Sequence, residues 1–251
     1  MREPFDLALA DGVATLTLNR PAKLNALGIA DLPDLHGMLD RVEAAGVRVL
    51  VVTGAGTRAF CAGVDLGDVL ATDWRVNPLE ALIDRVENFP LATIAAVNGV
   101  LFGAAADLAL ACDLRLGVPT VRLAMPPARL GAVLHESGLR RFGVRLAGNA
   151  ARRLLLAGET MDAAELLRVG FLDRIVAPET LAGEAAALAA TVAGLAPRAV
   201  ATMKRALVEL DRDALDRDRL RGETLAQFAS EDLREGLAAF AARRAPRFTG
   251  R

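Results

Sequence analysis

The stretch NGVLFGAAADLALACD, residues 98–113, is where a buried strand gives way to a helix. Asn98-Gly99 is a turn pair. Gly103 to Ala106 then places only small residues at a helix start, where the first backbone N–H groups lack helical partners. A single acid, Asp107, stands among alanines and leucines, and an unpaired charge in such surroundings is costly. The longer run LATIAAVNGVLFGAAADLALAC (91–112) is apolar enough to suggest a membrane span. A central aspartate adds about 3 kcal/mol to the cost of insertion, so the run reads as a core segment.

Working outward, ATIAAVNG is a buried strand before the turn, and CDLRLGV is another after the helix. RVLVVTG (48–54) is a continuous β-branched run suited to a strand covered on both faces. Helical patterns run from about Ile29 to Ala45 and from Leu79 to Glu87. FDLALADGVATLTL alternates on either side of Asp11-Gly12, which predicts a hairpin. Strands and helices alternating in this way imply an α/β core. Beyond residue 140 the pattern is helical almost throughout, interrupted at VGFLDRIV (169–176), and the last 70 residues read as two long helices. The expected organisation is a core over 1–190 and a helical module over 191–251, with Leu233, Leu237, Ala238 and Phe240 spaced as a buried or subunit-facing stripe.

The chain has 251 residues with 30 basic and 31 acidic side chains. That balance attracts neither nucleic acid nor an acidic membrane. Two cysteines, Cys61 and Cys112, lie in apolar sequence, unlike a secreted disulfide scaffold. The N-terminal MREPFDLALADG has no apolar run of signal-peptide length, so a cytoplasmic setting is expected.

Several motif readings fail on chemistry. TGAGTRA (53–59) fits a dinucleotide fingerprint, but Gly63 follows too soon for the long helix that must face a pyrophosphate. His135-Glu136-Ser137 lacks the glycines of a nucleophile elbow. The two histidines, His36 and His135, stand far apart in sequence and no ligand spacing forms a metal cage, so neither a metal nor a separate cofactor is expected.

More informative are FCAGVDL (60–66) and NGVLFGAAADLALACD (98–113), each with small residues where a strand enters a helix. Free N–H groups from two such turns can converge on one oxygen. Together with LNRPAKLNAL (18–27) and SEDLREGLAAFAARRAPRF (230–248), in this order, they resemble the crotonase superfamily, the enoyl-CoA hydratases and isomerases. The resemblance runs from about residue 5 to the C-terminus. It implies a spiral of repeated ββα units with a C-terminal helical trimerisation region, assembled as a homotrimer or a pair of trimers. It also implies an acyl-CoA thioester as substrate, the coenzyme A being carried by that substrate.

By the same resemblance, Val64 and Ala104 donate main-chain N–H bonds to the thioester oxygen. A negative charge developing on that oxygen makes such donors valuable, since losing one aimed donor typically costs about 2.7–4 kcal/mol. Lys23, Leu24, Ala62, Asp65 and Leu66 match the stretches that touch coenzyme A, and Phe228, Arg243 and Arg244 match the C-terminal region that reaches a neighbour's nucleotide. Ala245 replaces a frequently basic residue there.

The first of the family's two catalytic glutamates matches Asp107, three residues beyond Ala104 and therefore on the same helix face. The second matches Pro127, which cannot transfer a proton. His135, in the following loop, matches a position that carries an aspartate in dienoyl-CoA isomerases, with Glu136 beside it. Both are candidates for acid–base work, and Glu136 with Ser137 also suits the first turn of the helix ESGLRRFGVRLAG. With no tyrosine in the chain, members that use a phenol are poor models. The expectation is therefore an acyl-CoA enzyme of the enoyl-CoA hydratase/isomerase type with Asp107 as main acid/base. An isomerase without hydratase activity and a catalytically silent acyl-CoA binder are the alternatives.

Overall fold

In the computed structural model, which describes residues 3–251, Asp11-Gly12 closes a hairpin between β1 (Phe5–Ala10) and β2 (Val13–Leu18). Both turn residues take positive φ, 50° and 75°, as a tight two-residue hairpin turn requires. The register runs from Phe5 opposite Leu18 to Ala10 opposite Val13.

Eight further strands follow among the described residues: β3 (Val49–Gly54), β4 (Ala59–Cys61), β5 (Ala92–Val97), β6 (Val100–Phe102), β7 (Leu114–Gly117), β8 (Arg122–Ala124), β9 (Thr160–Asp162) and β10 (Arg174–Ile175). One sheet has the order β1-β2-β3-β5-β7-β10 and is parallel from β2 onward; a smaller one has the order β4-β6-β8-β9. The helices of this core are α1 (Leu32–Ala44), α2 (Leu66–Val69), α3 (Pro78–Glu87), α4 (Ala104–Ala111), α5 (Glu136–Arg145), α6 (Ala150–Leu155), α7 (Ala163–Arg168) and α8 (Leu181–Ala193).

The chain repeats one unit: a strand in the large sheet, a strand in the small sheet, then a helix. β3-β4-α3, β5-β6-α4 and β7-β8-α5 are successive turns of this ββα spiral, the architecture expected from the sequence. The repeat explains the apolar run. All of β5 is buried, and so is every residue of α4 from Ala105 to Ala111. A helix apolar on all sides belongs inside other elements, and here it lies between β6, α3 and α5. Among the described residues no single helix is long and apolar enough to cross a membrane.

Four helices, rather than two, occupy the last 70 residues, because caps interrupt an Ala/Leu/Arg pattern that is otherwise continuous. α8 ends near Gly194, and Pro197 opens α9 (Pro197–Asp211). Asp216 caps α10 (Arg217–Phe228) by accepting from Arg219 N–H, and Ser230 caps α11 (Glu231–Ala241) by accepting from Leu233 N–H. Residue 190 falls inside α8, whose Leu181, Ala185 and Ala189 are buried against the large sheet. After α8, α9 packs on α10 and α10 on α11.

Candidate active site

The two small-residue turns meet. Gly63, in the turn after β4, has φ +91, and a Cβ built on it would fall 2.6 Å from Phe102 O and 3.6 Å from Ala104 N. Only glycine allows the Gly63-Val64 turn to press this closely on the start of α4. The neighbouring amides are committed: Gly63 N–H faces Cys61 Sγ at 3.3 Å, Asp65 N–H donates to Leu27 O at 2.8 Å, and Gly103 N–H donates to Ala124 O at 3.0 Å. Val64 N–H and the first two N–H groups of α4, those of Ala104 and Ala105, have no protein acceptor among the described residues. Two adjacent turns therefore offer uncommitted donors, one of them at a helix N-terminus where negative charge is favoured.

Asp107 lies one helical turn below Ala104 and is fully buried. Its carboxylate faces the Arg141 guanidinium fork to fork, with Nε donating to Oδ1 at 2.8 Å and Nη2 donating to Oδ2 at 3.0 Å. His135 Nε2 approaches Oδ2 at 3.0 Å. Burial pushes the Asp107 carboxyl up, but the bonds from His135 and Arg141 outweigh it and hold the group below the usual carboxylate range. Asp107 is thus kept ionised, which suits a base and disfavours an acid.

His135 is the residue that caps α5. Gly138 N–H donates to His135 Nδ1 at 3.1 Å, so the neutral ring carries its hydrogen on Nε2, toward Asp107. Gly138 has no room for a side chain, because a Cβ there would lie 2.9 Å from Asp107 Oδ2. Ser137 Oγ stands 3.0 Å from Nδ1 and donates to Glu80 Oε1 at 3.3 Å. Glu136 is exposed in the first turn of α5 and forms no hydrogen bond or ion pair among the described residues.

Behind this group sits a second buried acid, Glu87 at the end of α3. Arg140 reaches it at 2.5 Å, Arg212 at 2.6 Å, Arg141 at 3.2 Å and Arg145 at 3.3 Å. Burial raises the Glu87 carboxyl, and these cations more than offset it, leaving the group below its ordinary range. Arg141 also bonds Asp84 at 2.7 Å, so one guanidinium ties α3, α4 and α5 together.

Sequence reasoning named Asp107 and His135, and the fold brings them into contact. It did not name Arg141, Glu87, Asp84 or Glu80. The one available signal was physical: a buried aspartate needs a cation, but 30 basic residues offered no way to choose among them. Pro127 opens a short 3-10 turn, and Pro126 packs beside Gly103, its Cδ 3.9 Å from where a Cβ would be. Pro127, which the family resemblance aligns with the second glutamate, is the next residue along and brings no titratable group.

Of the expected coenzyme A contacts, Lys23 and Asp65 pair with each other at 2.7 Å, Ala62 N–H donates to Leu24 O at 2.9 Å, and Leu66 is exposed at the start of α2. Phe228 is 71% exposed at the edge of an apolar groove of about 410 Å³ lined by Met203, Leu220, Leu233 and Leu237. Arg243 is exposed just beyond α11, while Arg244 pairs with Glu235 at 2.6 Å.

The fold is a spiral of ββα units in which two glycine-bearing turns lie against each other, and comparison with known proteins places it. Residues 9–251 match the family model described as enoyl-CoA hydratase/isomerase, and the chain belongs to that family. It is similar to (E)-benzylidenesuccinyl-CoA hydratase of Thauera aromatica, 32% identical over 257 aligned positions that cover 98% of this chain and 99% of that protein. Carnitinyl-CoA dehydratase of Proteus mirabilis (strain HI4320) is 34% identical over 265 positions, covering both chains completely. Among solved structures, enoyl-CoA hydratase from Bacillus anthracis superposes with a TM-score of 0.90 at 28% identity, covering 99% of this chain and 100% of that one.

Proposed function

We propose that this chain is an acyl-CoA enzyme of the enoyl-CoA hydratase/isomerase type. In this reading the Val64 and Ala104 amides hold a thioester oxygen, and ionised Asp107 removes a proton beside that carbonyl. The observation that carries the reading is the adjacency of the two uncommitted amides, with an ionised carboxylate one helical turn away. The names of the relatives, a hydratase and a dehydratase of CoA thioesters, support the same substrate class.

The geometry orders the steps. Two N–H donors on the carbonyl oxygen stabilise an enolate as charge moves onto it, which makes the neighbouring C–H acidic enough for a carboxylate base. A carboxylate accepts at about four positions. Arg141 and His135 fill three on Asp107, leaving one on Oδ1 for the substrate proton. The proton returned to a different carbon gives isomerisation. Hydration by two carboxylates lacks its second member at Pro127, so double-bond migration is the favoured reaction. Glu136 has no part in these steps.

Lys23, Leu24, Ala62, Asp65 and Leu66 are assigned to coenzyme A, and Phe228 and Arg243 to a neighbouring subunit's nucleotide. The apolar surface carrying Phe228, Leu237 (63% exposed) and Phe240 (86% exposed) is assigned to contact between copies in a homotrimer or a pair of trimers. Two buried free thiols, Cys61 and Cys112, both pushed up to about 12 by burial, fit a reducing cytoplasmic setting.

A silent acyl-CoA binder is the second reading, and one observation favours it. Asp107 has no exposed surface, so a ligand reaches it only if His135 or the start of α5 gives way. The test uses a β,γ-enoyl-CoA and follows the absorbance of the conjugated thioester formed. The expected result is turnover by the wild type, none by Asp107→Asn, and similar CoA affinity in both. Binding without conversion of either β,γ- or α,β-enoyl-CoA would establish the silent binder instead.

A further inference from the structure

We infer that Glu80 is a positioning residue of this site: from α3 it sets the charge of the His135 imidazole and, through it, the strength of Asp107 as a base. This rests on the reading of Asp107 given above, but the link from Glu80 to His135 can be measured without any turnover.

His135 is held at the junction of three helices. Nε2–H faces Asp107 of α4 at 3.0 Å, Nδ1 accepts from Gly138 N–H of α5 at 3.1 Å, and Glu80 Oε1 of α3 stands 3.4 Å from Nδ1. Ser137 Oγ lies between them, 3.0 Å from Nδ1 and 3.3 Å from Glu80 Oε1. The other charged groups around this junction are Arg141, which holds Asp107, Asp84, which is bonded to Arg141, and the exposed Glu136.

Nδ1 has two mutually exclusive uses. In the neutral ring its lone pair accepts the Gly138 N–H and caps α5. Once Nδ1 takes a proton from solvent it can no longer accept, and its new N–H must donate. Glu80 Oε1 and Ser137 Oγ are the acceptors in reach, and Ser137 can pass its own hydrogen on to Glu80. No other bond breaks, because Nε2–H stays on Asp107 in both states. An imidazolium on Oδ2 draws charge out of that carboxylate and weakens it as a base, so protonation of His135 turns the site down. A carboxylate facing Nδ1 accepts the new N–H, so Glu80 biases the ring toward its charged form.

Glu80 thus supplies, from a different element, a second carboxylate to a site whose usual second carboxylate is replaced by Pro127. It acts through His135 and not on substrate.

The chain has only two histidines, so both imidazoles can be followed by NMR in the ligand-free protein, with His36→Gln identifying the other signal. The expected result is that Glu80→Gln moves the His135 titration to lower pH by at least about half a unit, while Ser137→Ala moves it less. In parallel, exchange of the α-protons of a saturated acyl-CoA with D2O is recorded against pH. The acid-side fall in exchange should move with the titration in Glu80→Gln and disappear in His135→Gln. A structural role for Glu80 alone would lower thermal stability and leave the His135 titration where it was; that outcome overturns the inference. If the wild type shows no α-proton exchange at any pH, the enzymatic reading fails, while the titration still decides whether Glu80 governs His135.

Discussion

Asp107 and Arg141 meet as a fully buried two-bond pair, 2.8 Å from Nε to Oδ1 and 3.0 Å from Nη2 to Oδ2, on helices that touch at the floor of the site. The pair has two consequences that pull in different directions. It keeps the carboxylate charged, and it makes the proposed base a structural member of the α3-α4-α5 junction.

Removing only the cation leaves Asp107 buried with no partner but His135 and takes one partner from Asp84 and one from Glu87. Arg141→Met is expected to lower unfolding stability by about 3–5 kcal/mol, read from urea titrations. The double variant Asp107→Leu/Arg141→Met should lose less than the single one, because no orphaned charge remains at α4. A double variant less stable than Arg141→Met would contradict this account of the pair.

Acid should unfold the protein through its buried carboxylates. Asp107 and Glu87 sit below their ordinary range in the folded chain and at about 4 when unfolded. Groups lowered in this way contribute stability above the unfolded value, and that stability is lost as pH falls through the folded one. Stability should hold from pH 7 to about pH 5 as far as these two groups are concerned, then decline below about 4. Denaturant midpoints at several pH values test it, and a midpoint that is flat down to pH 3 would show that these pairings contribute nothing.

Gly63 permits the approach of the two amide-bearing turns. Gly63→Ala puts a methyl group 2.6 Å from Phe102 O in a backbone conformation, φ +91, that alanine adopts only with strain. The turn must move off α4, separating Val64 N–H from Ala104 N–H. Affinity for a non-reactive acyl-CoA analogue should fall at least about tenfold, a loss in the range of one misplaced donor, while affinity for free coenzyme A falls less. Calorimetry on both ligands separates the effects, and equal losses would mean that the turn serves only folding.

By the family resemblance Pro127 stands at the position of a second carboxylate, next to Pro126, which packs beside Gly103 at the start of α4. Pro127→Glu is expected to raise hydration of a short α,β-enoyl-CoA by about 10²-fold, the lower end of what one placed acid–base group contributes. Loss of the conjugated-thioester absorbance measures it. A folded variant with no gain would show that Asp107, clamped by Arg141, cannot support water addition whatever stands opposite.

Much of the fold could be read from local pattern. Alternation around Asp11-Gly12 predicted the first hairpin and the unbroken apolar runs predicted β3 and β5, while the ββα spiral was implied by the family resemblance that four motifs carry. The C-terminal helices were miscounted because Ala- and Leu-rich sequence carries the same helical signal on both sides of a cap. What ended each helix was a single residue such as Pro197, Asp216 or Ser230. His135 was read as a candidate for chemistry and Glu136 with Ser137 as first-turn residues; in the fold His135 itself caps α5.

By resemblance to the family a proline stands where a second acid is expected, and the linear order of residues was enough to place small residues at the two turns and an acid one helical turn below. Those are short-range properties of spacing and side-chain size, and the chain carries them wherever it goes. Which cation neutralises Asp107, why that carboxylate stays charged, and how Glu80 comes to face His135 were settled only when α3, α4 and α5 packed together. Burial and the distance between charges set the energy of an ionised group, and both are properties of the assembled helices.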